Sequence, residues 1–548
     1  MPKDPRTLLE TPKNANIVAM GRGEYWYYGL ENCIKDVLQS VLPLPHQAEE
    51  LSLSFNIDGL PINRSSKQEF WPILCMVQTK NQQFEPQAVA IYSGIGKPPL
   101  ESYLTPFVNE LNTLLRNGLN LEQQTFNLKI NNFVCDTPAR CFIKNTSYFN
   151  SYHGCSKCCV LGEYDRQGHH MFYASVDAPL RTDTSFRQKS DPDHHKGDTP
   201  LQNLPIDLIS DFPIADSLHL IDLGIMKKCL LAWISGSFGY GAKWSARDIS
   251  NVSEHLVDCN QQMPLEIHRA VRTLDCIKFW KALEFRTFLL YLGPVVLKDM
   301  LEPKVYEHFL TFFCAVTLCT TRCYLKAINV AEKLFLKYVK EFSEVYNKES
   351  ISSNVHGLCH IVEDVKRFGC LPLFSAYPFE NKLFQIKCLI RSGNKPLTQV
   401  AKRMQEISSF INHNTVEKTD IYPLLKNARQ MDNNTIYYER VYPKEGVILS
   451  AERNQDKWFM TQEKEIMCII SAKMIHEKVY VKCRAIKLKH SFFEQPFESS
   501  FLNIFISDGI LNDLTKEIDL NCFKCKLLKL NCKNNFVFLP LLHSLPDD

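Results

Sequence analysis

LSLSFNIDG (residues 51–59) and FNLKINNFVCDTP (residues 126–138) decide the fold. The first alternates Leu51, Leu53, Phe55 and Ile57 in period two, as a strand does, and then meets Asp58-Gly59. The second reads as a strand over Phe126–Val134 and runs out into Cys135-Asp136. Between them lie strand patterns at Phe70–Gln78 and Gln87–Tyr92. A helical spacing of Leu104, Phe107, Leu111, Leu114 and Leu115 follows over Tyr103–Leu115. Three strands, a helix and a further strand predict an α/β sheet. Adjacent strand ends of such a sheet bring carboxylates such as Asp58 and Asp136 to one edge.

That order is the opening of a ribonuclease-H-like core, expected over residues 51–159. Residues 1–50 read as a lead-in: a Pro/Lys-rich tail, an aromatic patch at Tyr25–Tyr28 and a short helix ending near Leu42. From 160 to 350 the chain reads as a mainly helical insertion, polar and irregular at first and then amphipathic, as in Ala327–Tyr346. Residues 351–420 close the core with a further helix. Residues 421–548 switch to short strand-like runs (Val447–Leu449, Met467–Ile470, Val479–Ile486), which predict a small C-terminal β-rich domain.

The 548 residues are 45% apolar and 22% charged, enough for at least one large core and unlike a disordered chain. The polar, Pro-rich start excludes a signal peptide there, and no apolar run is long enough for a membrane span, so a soluble, non-secreted protein is expected. The 21 cysteines then read as core filler or metal ligands rather than disulfides. With 63 basic and 60 acidic residues, any nucleic-acid contact must come from local patches.

A third carboxylate, Glu380, opens the helical pattern after Tyr377-Pro378-Phe379. Three hard oxygen donors from Asp58, Asp136 and Glu380 suit two Mg or Mn ions. Each also has an ordinary reading: Asp-Gly as a turn, Asp-Thr-Pro as a helix N-cap, and Glu as a first-turn residue. Lys382, Lys387, Arg391, Lys395, Lys402 and Arg403 follow with no acidic residue among them. Such a run is either a DNA-backbone surface or a solvated face.

Cys155 and Cys158 stand at CxxC spacing, half of a zinc site, and His356 and His360 at HxxxH spacing offer the other half. Cys159 can replace Cys158. The pairs His169-His170 and His194-His195 are further metal candidates, more simply solvated. Cys522, Cys525 and Cys532, with His543, form a second thiol group that reads more simply as packing.

IDGLPINRSS (57–66), CDTPAR (135–140), HGCSKC (153–158), LHLIDLGIMKK (218–228) and FSAYPFENKLFQIKCLIRSGNKPL (374–397) resemble transposon-derived animal proteins described as transposase-domain-containing. The element order resembles the DDE/D transposases of the CACTA and Transib groups, relatives of the V(D)J recombinase catalytic subunit. The similarity spans roughly residues 5–410. Asp136 precedes Cys155 by 19 residues and His360 precedes Glu380 by 20, intervals that look like the family's. The resemblance implies a metal-binding triad of Asp58, Asp136 and Glu380, and one structural zinc on Cys155, Cys158, His356 and His360. It also implies DNA as partner, a homodimer on DNA ends, and the nucleus. His219 and Asp222 lie in the LHLIDLG segment, for which a core role is expected.

The implied activity is metal-dependent DNA strand cleavage and strand transfer. The alternatives are a catalytically inactive DNA- or protein-binding remnant, and a nuclease without strand transfer. Such proteins usually carry an amino-terminal DNA-binding region before the PKDPRTLL segment, at which this sequence starts, so a truncated or host-adopted copy is a further expectation.

Overall fold

The computed structural model describes residues 11–546 except 13, 41–49, 64–66, 81, 123, 240–241, 412–420 and 431–435. The expected tail at 1–10, the helix end near Leu42 and the boundary at residue 420 lie outside the described residues. The protein is mixed α/β and divides into two compact units. One comprises Met1–His219 with Leu373–Lys418, the other Leu220–Pro372 with Thr419–Asp548.

The first unit is built on a seven-stranded sheet. Its strands are β1 (Ile17–Met20), β2 (Gly23–Tyr27), β3 (Leu51–Ile57), β4 (Leu60–Pro61), β5 (Gln68–Gln78) and β6 (Gln87–Ile95). A small hairpin of β7 (Leu119–Leu121) and β8 (Gln124–Phe126) precedes the last, β9 (Leu128–Phe133). The order is β1-β2-β6-β5-β3-β9, with β4 beside β5. Among the described residues only β3 and β9 run parallel, Leu51 facing Leu128 and Phe55 facing Phe133.

Helix α1 (Leu30–Gln39) follows β2, and α2 (Leu100–Asn117) carries the chain from β6 across to β9. A parallel neighbour requires such a crossover, and α2 supplies it by burying Tyr103, Leu104, Phe107, Leu111 and Leu114. The Phe107 ring meets Phe55 edge-on at 5.0 Å, and the Tyr103 hydroxyl donates to the Trp71 carbonyl at 3.0 Å. Truncating Phe107 to alanine is expected to cost about 3–5 kcal/mol.

The strand expected from Phe126 divides in two. Gly118, at φ 72°, turns the chain out of α2, and a Cβ there would lie 2.7 Å from Thr125 Cγ2. The hairpin β7-β8 therefore closes on the glycine, and β9 starts at Leu128. The lead-in is also more than a lead-in. Its residues 17–27 form a hairpin that extends the sheet past β6, with Trp26 facing Ile91.

In the second unit, Pro303–Thr320 is buried on every side from His308 onward, and Ile328–Val345 matches the helix expected over Ala327–Tyr346. The C-terminal strands form an eleven-stranded sheet beginning at Leu424. Of the three expected runs, Met467–Ile470 lies within Ile466–Ile475 and Val479–Ile486 overlaps Lys478–Ala485, whereas Val447–Leu449 reaches a strand only at Leu449. This sheet shares its unit with the helices of 220–372, while residues 160–219 belong with the first sheet. Among the described residues, no helix is long and apolar enough to cross a membrane.

Candidate metal centre

Parallel pairing of β3 and β9 sends both strands out at one edge of the first sheet, and each ends in a carboxylate. Asp58 follows Ile57 directly, and Val134 donates to the Phe55 carbonyl at 2.8 Å, carrying the chain through Cys135 to Asp136. Asp58 Oδ1 accepts from the Gly59 N–H at 2.6 Å, the local turn that Asp-Gly favours. Asp136 caps α3 (Thr137–Ile143), with Oδ1 accepting from the Ala139 N–H at 2.7 Å and Pro138 in the first turn. One oxygen of Asp136 is thereby occupied in holding the helix.

Glu380 sits in the first turn of the Tyr377–Cys388 helix, which buries Phe379, Leu383 and Ile386. Lys387 donates to the Pro61 carbonyl at 2.7 Å and Gln385 to Glu85 at 2.6 Å, pinning the helix to the sheet edge.

A fourth group completes the cluster. Ligand atoms of Asp58, His219 and Glu380 all lie within 4.8 Å of one another, and His219 Nε2 is 3.6 Å from Glu380 Oε1. His219 Nδ1 meets Asp216 Oδ2 at 2.5 Å. Asp216 is buried and accepts three backbone N–H bonds: Leu218 at 3.1 Å, His219 at 3.1 Å and Ala376 at 2.9 Å. It thus joins the start of the segment carrying His219 to the start of the helix carrying Glu380. A contact of 3.0 Å between the Ser217 and Ser375 hydroxyls closes the same junction.

The electrostatics follow from this crowding. Burial, then the charges of Asp136 and Glu380, push the Asp58 carboxyl up to about 7, against the pull of the Gly59 N–H and His219. Burial also raises Glu380; His219 draws it down, while Asp216 and Asp136 drive it up. Burial would lower His219, yet the Asp216 hydrogen bond and the charges of Asp216, Glu380 and Asp136 carry it to about 9. Burial opposes ionisation of Asp216, but its bonds from His219, Ala376 and Leu218 hold it below the usual range. Carboxylates driven to retain protons are short of positive charge, which a divalent cation supplies.

The expected trio is therefore placed unevenly. Asp58 and Glu380 come together, Asp136 lies within electrostatic reach as a helix cap, and His219 enters their group. Asp222, its neighbour in LHLIDLG, is buried. The sequence signal for Asp216 and His219 was their spacing of three, but Ser217–Met226 winds as a π-helix, whose period a 3.6-residue reading does not see.

The basic run divides too. Lys387, Arg391 and Lys395 are exposed, whereas Lys382 is half-buried against Trp26 and Tyr28. The Arg403 guanidinium donates to the Leu389 carbonyl.

The thiol pair and the imidazole pair are each spaced as two ligands of one metal ion could be. The edge of such a site is about 1.6 times the metal–ligand distance, hence about 3.8 Å between sulfurs and about 3.4 Å between nitrogens for zinc. In the first unit Cys155 and Cys158 hold their sulfurs 3.5 Å apart, and in the second His356 and His360 hold their Nε2 atoms 3.4 Å apart. Hydrogen bonding to Cys155, then burial, keeps the Cys158 thiol protonated well above its usual range.

The other candidates are quieter. His194 is buried and bonds the His153 carbonyl at 2.8 Å. His170 faces Asp165 on a surface hairpin. His153, Asp191 and Asp193 form a third possible group, but Arg181 bonds Asp191 at 2.8 Å. Cys522, Cys525 and Cys532 join no metal-capable group among the described residues, and Cys525 and Cys532 are buried in Phe523–Cys532.

Residues 422–541 match a family described as a domain of unknown function (DUF8592), which covers the C-terminal sheet and not the acidic cluster. No curated protein matches the chain.

Proposed function

We propose that the first unit is a ribonuclease-H-like DDE-type transposase core that cleaves and joins DNA strands. The observation that carries this reading is the meeting of Asp58, Glu380 and His219 at the edge where the parallel strands β3 and β9 end, with Asp136 beside them. Oxygen donors from Asp58, Asp136 and Glu380 would hold two Mg or Mn ions. The crowding that raises Asp58 and Glu380 is what such ions relieve. When bound, these ions lower the pKa of an attacking water or hydroxyl and neutralise phosphate charge.

The chain's own contribution is placement. Asp58 is fixed by the Gly59 N–H, Asp136 by α3, and Glu380 by a helix bolted to the sheet through Lys387 and Gln385. Lys387, Arg391 and Lys395 line one exposed stretch of that region and suit a phosphate backbone. DNA is then the partner, two copies of the chain act on two ends, and the nucleus is where the reaction takes place.

The zinc reading is part of the same proposal. Cys155 and Cys158 with His356 and His360 would complete one structural site, supported by the pair spacings. Zinc content of about one per chain, falling with Cys158→Ser or His360→Ala, is the expected result.

The test of the activity is nicking and strand transfer of supercoiled DNA with Mg or Mn. Asp58→Ala and Glu380→Ala are each expected to lower the rate at least a hundredfold, roughly the scale on which electrostatic stabilisation of a transition state is lost. Nicking unaltered by both substitutions would remove the enzyme reading and leave the inactive remnant. Cleavage without joined products would leave a nuclease.

A further inference from the structure

Imidazole is not an obvious member of an all-carboxylate site, yet His219 is held where a ligand would be. Its Nε2 faces Glu380 Oε1 at 3.6 Å and lies in one group with Asp58. Its other nitrogen is fixed by Asp216 at 2.5 Å, and Asp216 is fixed in turn by three backbone N–H donors from two segments. A carboxylate that fixes Nδ1 and leaves Nε2 aimed at acidic oxygens is the support that metal-bound histidines have, since it sets both tautomer and ring plane. An ordinary ion pair needs no such fixing of the far nitrogen. The side chains of His219 and Glu380 are 28% and 38% exposed, so neither partner is sealed from solvent.

We infer that His219, through Nε2, is a protein ligand of the cation held by Asp58 and Glu380, with Asp216 as its positioning residue. The inference rests on the proposed metal centre and changes its composition. The first ion has an Asp, His, Glu ligand set, and Asp136 contributes from its helix cap to the neighbouring position. Two carboxylates with one imidazole suit a first-row ion such as Mn2+ better than Mg2+, which prefers oxygen alone.

The experiment is pulsed electron paramagnetic resonance of Mn2+ added to the zinc-supplemented full chain. Nitrogen bound to Mn2+ modulates the echo, so the wild type is expected to show an imidazole 14N signal. His219→Gln is expected to lose that signal and to bind Mn2+ at least tenfold more weakly. Asp216→Asn is expected to keep a nitrogen signal with a shifted coupling and about tenfold weaker binding.

Mn2+ bound with no 14N signal in the wild type, or a signal that survives His219→Gln, overturns the inference. The wild-type spectrum needs no variant to fold. An unchanged coupling and affinity in Asp216→Asn overturns the positioning role. The expected nitrogen signal in a chain that cleaves no DNA upholds the ligand set and removes only the strand-cleavage reading. Absence of Mn2+ binding at millimolar concentration overturns both.

Discussion

At Lys526 and at His219 the chain surrounds a cationic side chain with carboxylates, and the two surroundings differ in balance and in access. Lys526, in the second unit, is fully buried and bonds Glu266 at 2.7 and 2.9 Å and Asp456 at 2.5 Å; Arg453 reaches Asp456 at 2.9 Å. Two cations there meet two anions. Around His219, four carboxylates (Asp58, Asp136, Asp216 and Glu380) share one imidazolium, and the side chains of Glu380 and His219 are 38% and 28% exposed. The charge-balanced cluster is centred on a buried lysine and fastens a helical loop to a sheet; the cluster around His219 carries more carboxylates than cations, an excess that a bound cation would offset.

If Lys526 is structural, removing it leaves Glu266 without its cation and Asp456 with Arg453 alone. Lys526→Ala is expected to cost about 3–5 kcal/mol in denaturant unfolding of the second unit. The metal response of the first unit should be unchanged. A cost below about 1 kcal/mol would show that the network is not closed.

The acidic cluster should respond in the opposite sense. Asp58, raised to about 7 from 3.8, is ionised in the unfolded chain above 3.8 but resists ionisation in the fold. Its penalty on the metal-free protein is therefore absent below about pH 3.8, grows as pH rises, and is complete above pH 7. Asp58→Asn should stabilise the metal-free protein by about 1–3 kcal/mol at pH 8, with the gain shrinking towards pH 5. Thermal melts in EDTA across that range check it, and a destabilising effect at pH 8 would mean that Asp58 is satisfied without a cation.

The smallest expected effect separates the two roles of Asp136. Asp136→Ala removes the cap of α3 and should cost about 1 kcal/mol, whereas Asp136→Asn keeps an acceptor and should cost a few tenths. Both should abolish DNA cleavage if the carboxylate also serves a metal. Activity retained in Asp136→Asn would assign the residue to the cap alone.

What was legible in the sequence follows from periodicity. Strand β3 and helix α2 repeat apolar residues at periods of two and near 3.6, and β5 and β6 are continuous apolar runs, because each packs one or both faces into a core. The hairpin at residues 17–27 escaped because its pairing with β6 is a tertiary fact, and its Tyr-Trp-Tyr run resembles a surface patch. Asp58 and Glu380 were recognisable from their places at element ends. Asp216 and His219 were not, since His219 lies in a π-helix whose period a 3.6-residue reading misses, and Asp216 acts through backbone donors rather than a motif. Lys526, one of three lysines in Phe523–Cys532, gave no sign that it is buried.

Everything proposed for the first unit requires that Asp58, His219 and Glu380 bind a divalent cation. Calorimetric titration of the zinc-supplemented full chain with Mn2+, beside the Asp58→Asn/Glu380→Gln double variant, tests it most directly. Saturable binding is expected in the wild type and none in the variant at the same concentrations. Equal binding by both, or no saturable heat from either, would contradict it.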